Sequence, residues 1–334
     1  MSGAEPAASA TAWEARRARP ADARACYRYI LGRDEADEGL LTRHAEAAGT
    51  IGALRGRFLG SEEFRQSLLA GAAEPEGPAP EVELAADGAQ LAQMLVWTRR
   101  AWQALGESAP HWSVLPEDCF RPERIGQNLR AFQASGAADA AGLLAALARC
   151  GVAAGEVPRL VEHGSGVGRV TPHLAAHFPE IACVDISPPH LSAARAEMKR
   201  RGLVHLRFLR AKEAEPMPGP EEGYDLWYSR RALQWNPPPV IRQVLAAAFA
   251  GLAPRGVAVF QVPVWRAGYR FAAAEYLEGR PPAEPELHLL PQAEVFALAA
   301  GAGMRVLGAW DDSHLAVPRP GPWRSTLFVM RKAG

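Results

Sequence analysis

The chain has four cysteines in 334 residues, Cys26, Cys119, Cys150 and Cys183, and no two of them are near neighbours. That spacing excludes a disulfide framework and any paired-cysteine metal motif, and it points to reduced, structural thiols in a cytoplasmic setting. Net charge is also missing. Lys+Arg and Asp+Glu both number 37, so nothing steers the chain toward nucleic acid or an anionic membrane surface. Met1-Ser-Gly-Ala-Glu-Pro6 lacks an apolar signal core, and no hydrophobic run approaches the length of a membrane span. Histidines, cysteines and acids form no cluster with metal-ligand spacing, so no metal is expected. What is present is a globular composition, 48% apolar and 22% charged, on a chain long enough for two units.

Residues 1–20 are rich in Ala, Pro and Arg and read as a mobile tail. Helical periodicity over 21–70 predicts a small all-α module, with Cys26, Tyr27, Ile30 and Leu31 on one face and Ile51, Leu54, Phe58 and Leu59 on another. Its wording is Tyr27-Arg-Tyr-Ile-Leu-Gly-Arg33-Asp34 and Phe58-Leu-Gly-Ser-Glu-Glu-Phe64. This resembles a bacterial helical module related to phycobilisome linkers and often found beside cell-surface glycan enzymes. The resemblance implies a docking role for protein partners; a generic dimerisation bundle is the plainer reading of the same residues. Residues 71–88, with Pro75, Pro78 and Pro80, read as a linker. Residues 89–150 return to helical spacing and are expected to form a helical cap, with Trp112 and Phe120 toward the ligand.

From 151 to 334, strand and helix patterns alternate, which predicts a mostly parallel sheet covered on both faces. The organising stretch is Arg159-Leu-Val-Glu162-His-Gly164-Ser165-Gly166-Val-Gly168-Arg-Val170. It reads as a strand ending in an acid, a glycine turn and the start of a helix. The next apolar run, Ile181 to Asp185, again ends in an acid, and together these make a nucleoside-binding half-fold. A dinucleotide fold would space its glycines Gly-x-Gly-x-x-Gly to seat a pyrophosphate; here the spacing is tighter, and Glu162 would repel phosphate. The pattern suits a ligand with a ribose and a zwitterionic tail.

These residues, with Tyr224-Asp-Leu-Trp-Tyr-Ser229, Leu233-Gln-Trp-Asn-Pro-Pro238 and Phe260-Gln-Val-Pro263, resemble the class I S-adenosylmethionine-dependent methyltransferases over roughly residues 110–332. The resemblance implies a Rossmann-like seven-stranded sheet with one antiparallel strand, Ser325 to Met330, and S-adenosyl-L-methionine as cofactor. By position it implies that Gly164, Ser165, Gly166 and Gly168 face the methionine part of the cofactor and Glu162 its amino end. Asp185 would take the ribose hydroxyls and Ile186 one face of adenine. Ala211 and Lys212 would meet the adenine edge, where the family often has an acid, and Ser229 the carboxylate or the transfer site. Trp235 stands where related sequences tend to carry His, and offers an aromatic wall.

Between the fifth strand and the next helix lie roughly 30 residues, long enough for a lid. Trp265 and Tyr269 in it are expected to bind substrate, and His288 to be the catalytic base if the acceptor is a hydroxyl. The sequence thus predicts a methyltransferase acting on oxygen. A saccharide or glycan-linked acceptor is suggested by the company the N-terminal module keeps. A small-molecule methyltransferase, or a non-catalytic binding scaffold, fits the same fold.

Overall fold

Apolar runs that end in an acid or a serine become the parallel strands of one sheet in the computed structural model, which describes residues 14–30, 35–59, 61–63, 77–212, 217–218, 223–279, 281, 284–312 and 323–334. The chain divides into two compact units, Met1–Glu76 and Gly77–Gly334. The cap region of residues 89–150 is therefore part of the larger unit.

The described residues of the first unit include the helices α1 (Pro20–Ile30), α2 (Glu38–Ala48) and α3 (Ile51–Leu59). Asp37 starts α2 by accepting the Leu40 N–H, satisfying a donor that the helix itself cannot. Tyr27, Leu41, Leu54 and Phe58 form its core, and the Tyr27 hydroxyl meets His44 Nε2 at 3.0 Å. The Leu31-Gly32-Arg33 and Phe64 parts of the module's wording, and the linker up to Glu76, lie outside the described residues.

The second unit opens with a two-residue strand, β1 (Glu81–Val82), and three helices, α4 (Gly88–Ser108), α5 (Pro110–Val114) and α6 (Ile125–Arg149). Asp87 and Gln90 close a capping box at the head of α4. Then come β2 (Arg159–His163), α7 (Thr171–Leu174), β3 (Glu180–Asp185), α8 (Pro188–Arg200), β4 (Arg207–Arg210) and β5 (Tyr224–Ser229). They are followed by α9 (Pro238–Gly251), β6 (Leu252–Arg266), β7 (Arg270–Phe271), α10 (Ala273–Glu278), α11 (Gln292–Gly301), β8 (Met304–Asp311) and β9 (Trp323–Lys332). The seven-stranded sheet runs β4-β3-β2-β5-β6-β9-β8. β9 is antiparallel to both neighbours, and the pairings among β4, β3, β2, β5 and β6 are parallel.

Successive residues of β5 serve opposite faces: Leu226 joins Leu143, Leu147 and Val257, whereas Trp227 joins Ile241, Phe249 and Phe260. The prolines at the head of α9 suit a first turn, and its Val240, Ile241, Val244, Leu245, Ala248 and Phe249 are all buried on the sheet. Each such side chain contributes about 1.5–3 kcal/mol of transfer free energy.

The helix that starts after the glycine turn is a single turn, Thr171–Leu174. Three expectations change. Part of the anticipated linker is structured, since Glu81–Val82 pairs in parallel with β7. The anticipated lid is core: Tyr269, Phe271, Ala273, Leu289 and Leu290 are buried in the same cluster as Phe260. Finally, α6 is long and apolar enough to cross a membrane by length and composition, its mean hydropathy reaching 1.2. Scattered alanines and glycines had hidden that in the sequence. In the fold its Ala140, Leu143, Ala146 and Leu147 pack against Leu160, Leu226 and Val329.

Candidate active site

The carboxyl ends of β2, β3 and β5 lie side by side, so the turns that follow them surround one cavity, the place where open α/β sheets bind ligands. The cavity has an open volume of about 1000 Å³. Glu162, Gly164, Ser165, Gly166, Asp185, Ile186, Ala211 and Trp235 all line it. The sequence could bring these residues to one end of a sheet because each sits at, or just beyond, a strand end.

Gly164 and Gly166 adopt φ of 73° and 55°, which most side chains resist. A Cβ on Gly164 would also run into Ala232, and one on Gly166 would come within 2.7 Å of Val114. The turn is tied to β3 by the N–H groups of Gly164 and Ser165, which both donate to the Val184 carbonyl at 2.8 and 3.1 Å. Asp185 holds the turn from the other side. One of its carboxylate oxygens accepts the Gly166 N–H at 2.8 Å and the other the Ser187 N–H at 2.9 Å. Each oxygen keeps a second lone pair for a ligand hydroxyl.

Glu162 is 4% exposed, and its one protein partner in view is the Thr171 hydroxyl, which donates at 2.7 Å. Burial pushes its carboxyl up to about 7, against the opposing pull of that hydrogen bond. The Ser165 hydroxyl is buried without a partner among the described residues, although a buried polar group of this kind is normally satisfied. An unpaired hydroxyl, a carboxyl held near neutrality and a backbone stripped of Cβ atoms together fit a polar nucleoside ligand with a cationic tail.

Other predicted site residues lie elsewhere. Gly168 faces away from the cavity, toward Met198 and Ala194 of α8, where its missing Cβ permits close packing. Lys212 is exposed and does not line the cavity. Glu213 lies outside the described residues. Ser229 is fully buried beneath the cavity wall and meets His163 Nδ1 at 3.0 Å. Trp265 packs against the sheet core at the end of β6.

His288 and Tyr269 require the clearest correction. They meet each other, Tyr269 Oη to His288 Nδ1 at 2.8 Å, inside a box of Phe271, Tyr276 and Trp323, and neither reaches the cavity. His288 is 5% exposed, and burial pushes its imidazole down to about 4. Its N–H donates to the Gln234 carbonyl at 2.8 Å, so the segment is bound to the loop after β5 as structure. This geometry does not supply a base to a ligand in the cavity.

Several wall residues escaped the sequence reading. α4 and α5 contribute Leu95, Thr98, Trp102, Ser113 and Val114. The cap therefore covers the cavity through these residues, while Trp112 stacks under Arg121 and Phe120 packs on Phe132. Arg169, Tyr228, Arg230, Arg231 and the histidines His163 and His190 complete the lining. Only the adjacency of 163, 169 and 228–231 to the recognised motifs could have signalled them. Among the described residues, no group of three or more His, Cys, Asp or Glu is placed to hold a metal.

Residues 160–256 match a family model described as a methyltransferase domain. No curated protein matches the chain. Among solved structures, the magnesium protoporphyrin IX methyltransferase of Synechocystis PCC 6803 is 15% identical, with a TM-score of 0.48 over 72% of this chain and 100% of that one. The 1,6-didemethyltoxoflavin-N1-methyltransferase of Burkholderia thailandensis is 17% identical, with a TM-score of 0.47 over 76% and 94%. The N-methyltransferase NodS of Bradyrhizobium japonicum WM9 is 16% identical, with a TM-score of 0.46 over 70% and 100%. The fold, in which a class I methyltransferase sheet follows an all-α module, and the matched domain give the class. The protein is an S-adenosylmethionine-dependent methyltransferase, and S-adenosyl-L-methionine is its cofactor.

Proposed function

We propose that the acceptor is a small polar molecule and that Glu162, Ser165, Gly166 and Asp185 hold the cofactor as described in the sequence reading. The observation that carries this is the roof over the glycine turn: Leu95, Thr98, Trp102, Ser113 and Val114 of α4 and α5 line the cavity together with Gly164 and Gly166. A roofed site of this kind suits a compact acceptor better than a polymer chain. This favours the small-molecule reading over the saccharide or glycan-linked one, for which the support remains the wording of the N-terminal module. A docking role for that module, through its likeness to the linker-related family, and a reducing cytoplasmic setting belong to the same proposal.

The cofactor supplies an activated methyl group, so the chain's task is to align a nucleophile and exclude water. For a hydroxyl acceptor, His163 replaces His288 as the candidate for the group that takes the proton. It lines the cavity and its Nδ1 meets Ser229 Oγ at 3.0 Å. Burial pushes its imidazole down to about 4, so it is neutral at pH 7 but a weak base, and alignment of the nucleophile carries most of the rate.

Transfer of labelled methyl from S-adenosylmethionine into a cell extract, with the products split into small-molecule, lipid and glycan pools, tests the reading. Label is expected in the small-molecule pool. Label confined to glycan would restore the saccharide reading. Failure of the wild type to bind S-adenosylmethionine would break the cofactor assignment itself.

A further inference from the structure

Three guanidinium groups crowd one wall of the cavity, and two buried carboxylates answer them. Arg169 pairs with Asp139 and donates to Ser135 Oγ at 3.1 Å. Arg230 grips both oxygens of Asp312 at 2.9 and 3.0 Å and stands 3.6 Å from Asp139. Arg231 lines the same cavity, yet among the described residues its side chain has no carboxylate and no hydrogen-bond partner, and its Nε is buried unsatisfied. Burial first, and then the Arg169 and Arg230 charges, hold its pKa below the ordinary value despite the pull of Asp139 and Asp312.

The backbone shows that this placement is built. Arg231 has φ of 58°, a conformation that side chains other than glycine rarely adopt. Such strain persists only where the surroundings over-determine it. Here the Arg231 N–H donates to Gln261 Oε1 at 3.0 Å. The amide of the fully buried Gln261 donates in turn to Gln234 Oε1 at 3.1 Å and to Ser325 Oγ at 2.6 Å. A satisfied polar network thus pins a strained residue whose own cation has no carboxylate partner among the described residues.

We propose that Arg231 is the anion-recognising residue of the cavity and receives a single carboxylate of a bound ligand. A guanidinium fork matches a carboxylate bidentately. The carboxylate comes either from the cofactor's amino-acid tail or from an acidic acceptor. Trp102 and Trp235, which line the cavity with ring centroids 6.0 Å apart, would wall an aromatic acid of this kind. The proposal rests on the cavity being the cofactor site.

Calorimetry on the full chain separates the sources. The probes are S-adenosylhomocysteine, which carries the carboxylate, and 5′-methylthioadenosine, which keeps the nucleoside and thioether without the tail. Benzoate is then titrated into protein saturated with S-adenosylhomocysteine. If the cofactor supplies the carboxylate, Arg231→Gln weakens S-adenosylhomocysteine by about tenfold or more and leaves 5′-methylthioadenosine unchanged. If the acceptor supplies it, both nucleosides bind as before, and the benzoate binding seen in the wild type disappears in the variant. Should Arg231→Gln lose both nucleosides, recovery of S-adenosylhomocysteine binding by Arg231→Lys, which keeps the charge, supports the proposal, and no recovery overturns it. It is also overturned if Arg231→Gln binds all three probes like the wild type. A wild type that binds neither nucleoside breaks the cofactor assignment, and this proposal with it.

Discussion

The cavity beside the glycine turn and the box around His288 are both buried, aromatic and polar, yet they differ in what their polar groups lack. In the box, Tyr269 and His288 satisfy each other at 2.8 Å, and edge-on rings fill the remaining space. In the cavity, the Ser165 hydroxyl and the Arg231 Nε have no hydrogen-bond partner among the described residues, and burial pushes the Glu162 carboxyl up to about 7. A satisfied buried polar pair stabilises a fold, whereas an unsatisfied one in a space of its own marks where a ligand completes the set. A histidine among aromatics in a long connection reads alike in both settings, and only its hydrogen bonds separate them.

The contrast is broken most directly at Asp185. Asp185→Ala removes the acceptor of two backbone N–H groups and, on the function proposed above, of the ribose hydroxyls, so the affinity for S-adenosylmethionine should fall by about 100-fold or more in calorimetry. Unchanged affinity would mean that the cavity is not the cofactor site. Next comes Gly164→Ala, which adds strain at a φ of 73° and drives a methyl group into Ala232. Urea unfolding should show a loss of about 1–3 kcal/mol, and cofactor binding should weaken with it.

His288→Phe should act on the other side of the comparison. It leaves the buried Tyr269 hydroxyl unpaired and should cost about 1–3 kcal/mol of stability, while S-adenosylmethionine affinity and turnover are retained. Loss of turnover at full affinity would return His288 to the chemistry. Its titration carries a sign as well. The imidazole is pushed from an ordinary 6.5 down to about 4 in the fold, so its contribution is complete above 6.5 and is lost as pH falls toward 4. His288→Phe should therefore flatten that part of the acid limb.

The smallest effect is the pH dependence of cofactor affinity. Glu162 titrates at about 7 in the free protein, so raising the pH through 7 creates the carboxylate that attracts the cofactor's ammonium. Affinity should fall as pH drops below 7, and Glu162→Gln should remove that slope. The unliganded protein should move oppositely: a carboxyl raised from 4.5 to about 7 contributes stability that is full below 4.5 and is lost as pH rises through 7.

Much of the fold was legible because its signals are local. The apolar run of α9 follows one helical face, and all six of those side chains are buried. The paired motifs Glu162-to-Gly166 and Asp185 reach one cavity because parallel strands align their carboxyl ends. The segment after β6 was misread because aromatics with interspersed arginine look the same whether they face a ligand or a core. β1 escaped notice because two residues in proline-rich sequence carry no periodicity.

The sequence by itself determined the cofactor half of this protein: the tight glycine spacing, the acid before it and the acid one strand later reject a pyrophosphate and suit S-adenosylmethionine. Each of those features depends on backbone conformation or charge within a few residues. Tertiary structure alone decided the rest of the cavity. Val114 meets the space above Gly166, Asp139 pairs with Arg169, Asp312 with Arg230, and Tyr269 takes His288 out of reach of the cavity. Those contacts join residues far apart in the chain, and which buried charges remain unanswered is settled only when the chain has closed around them.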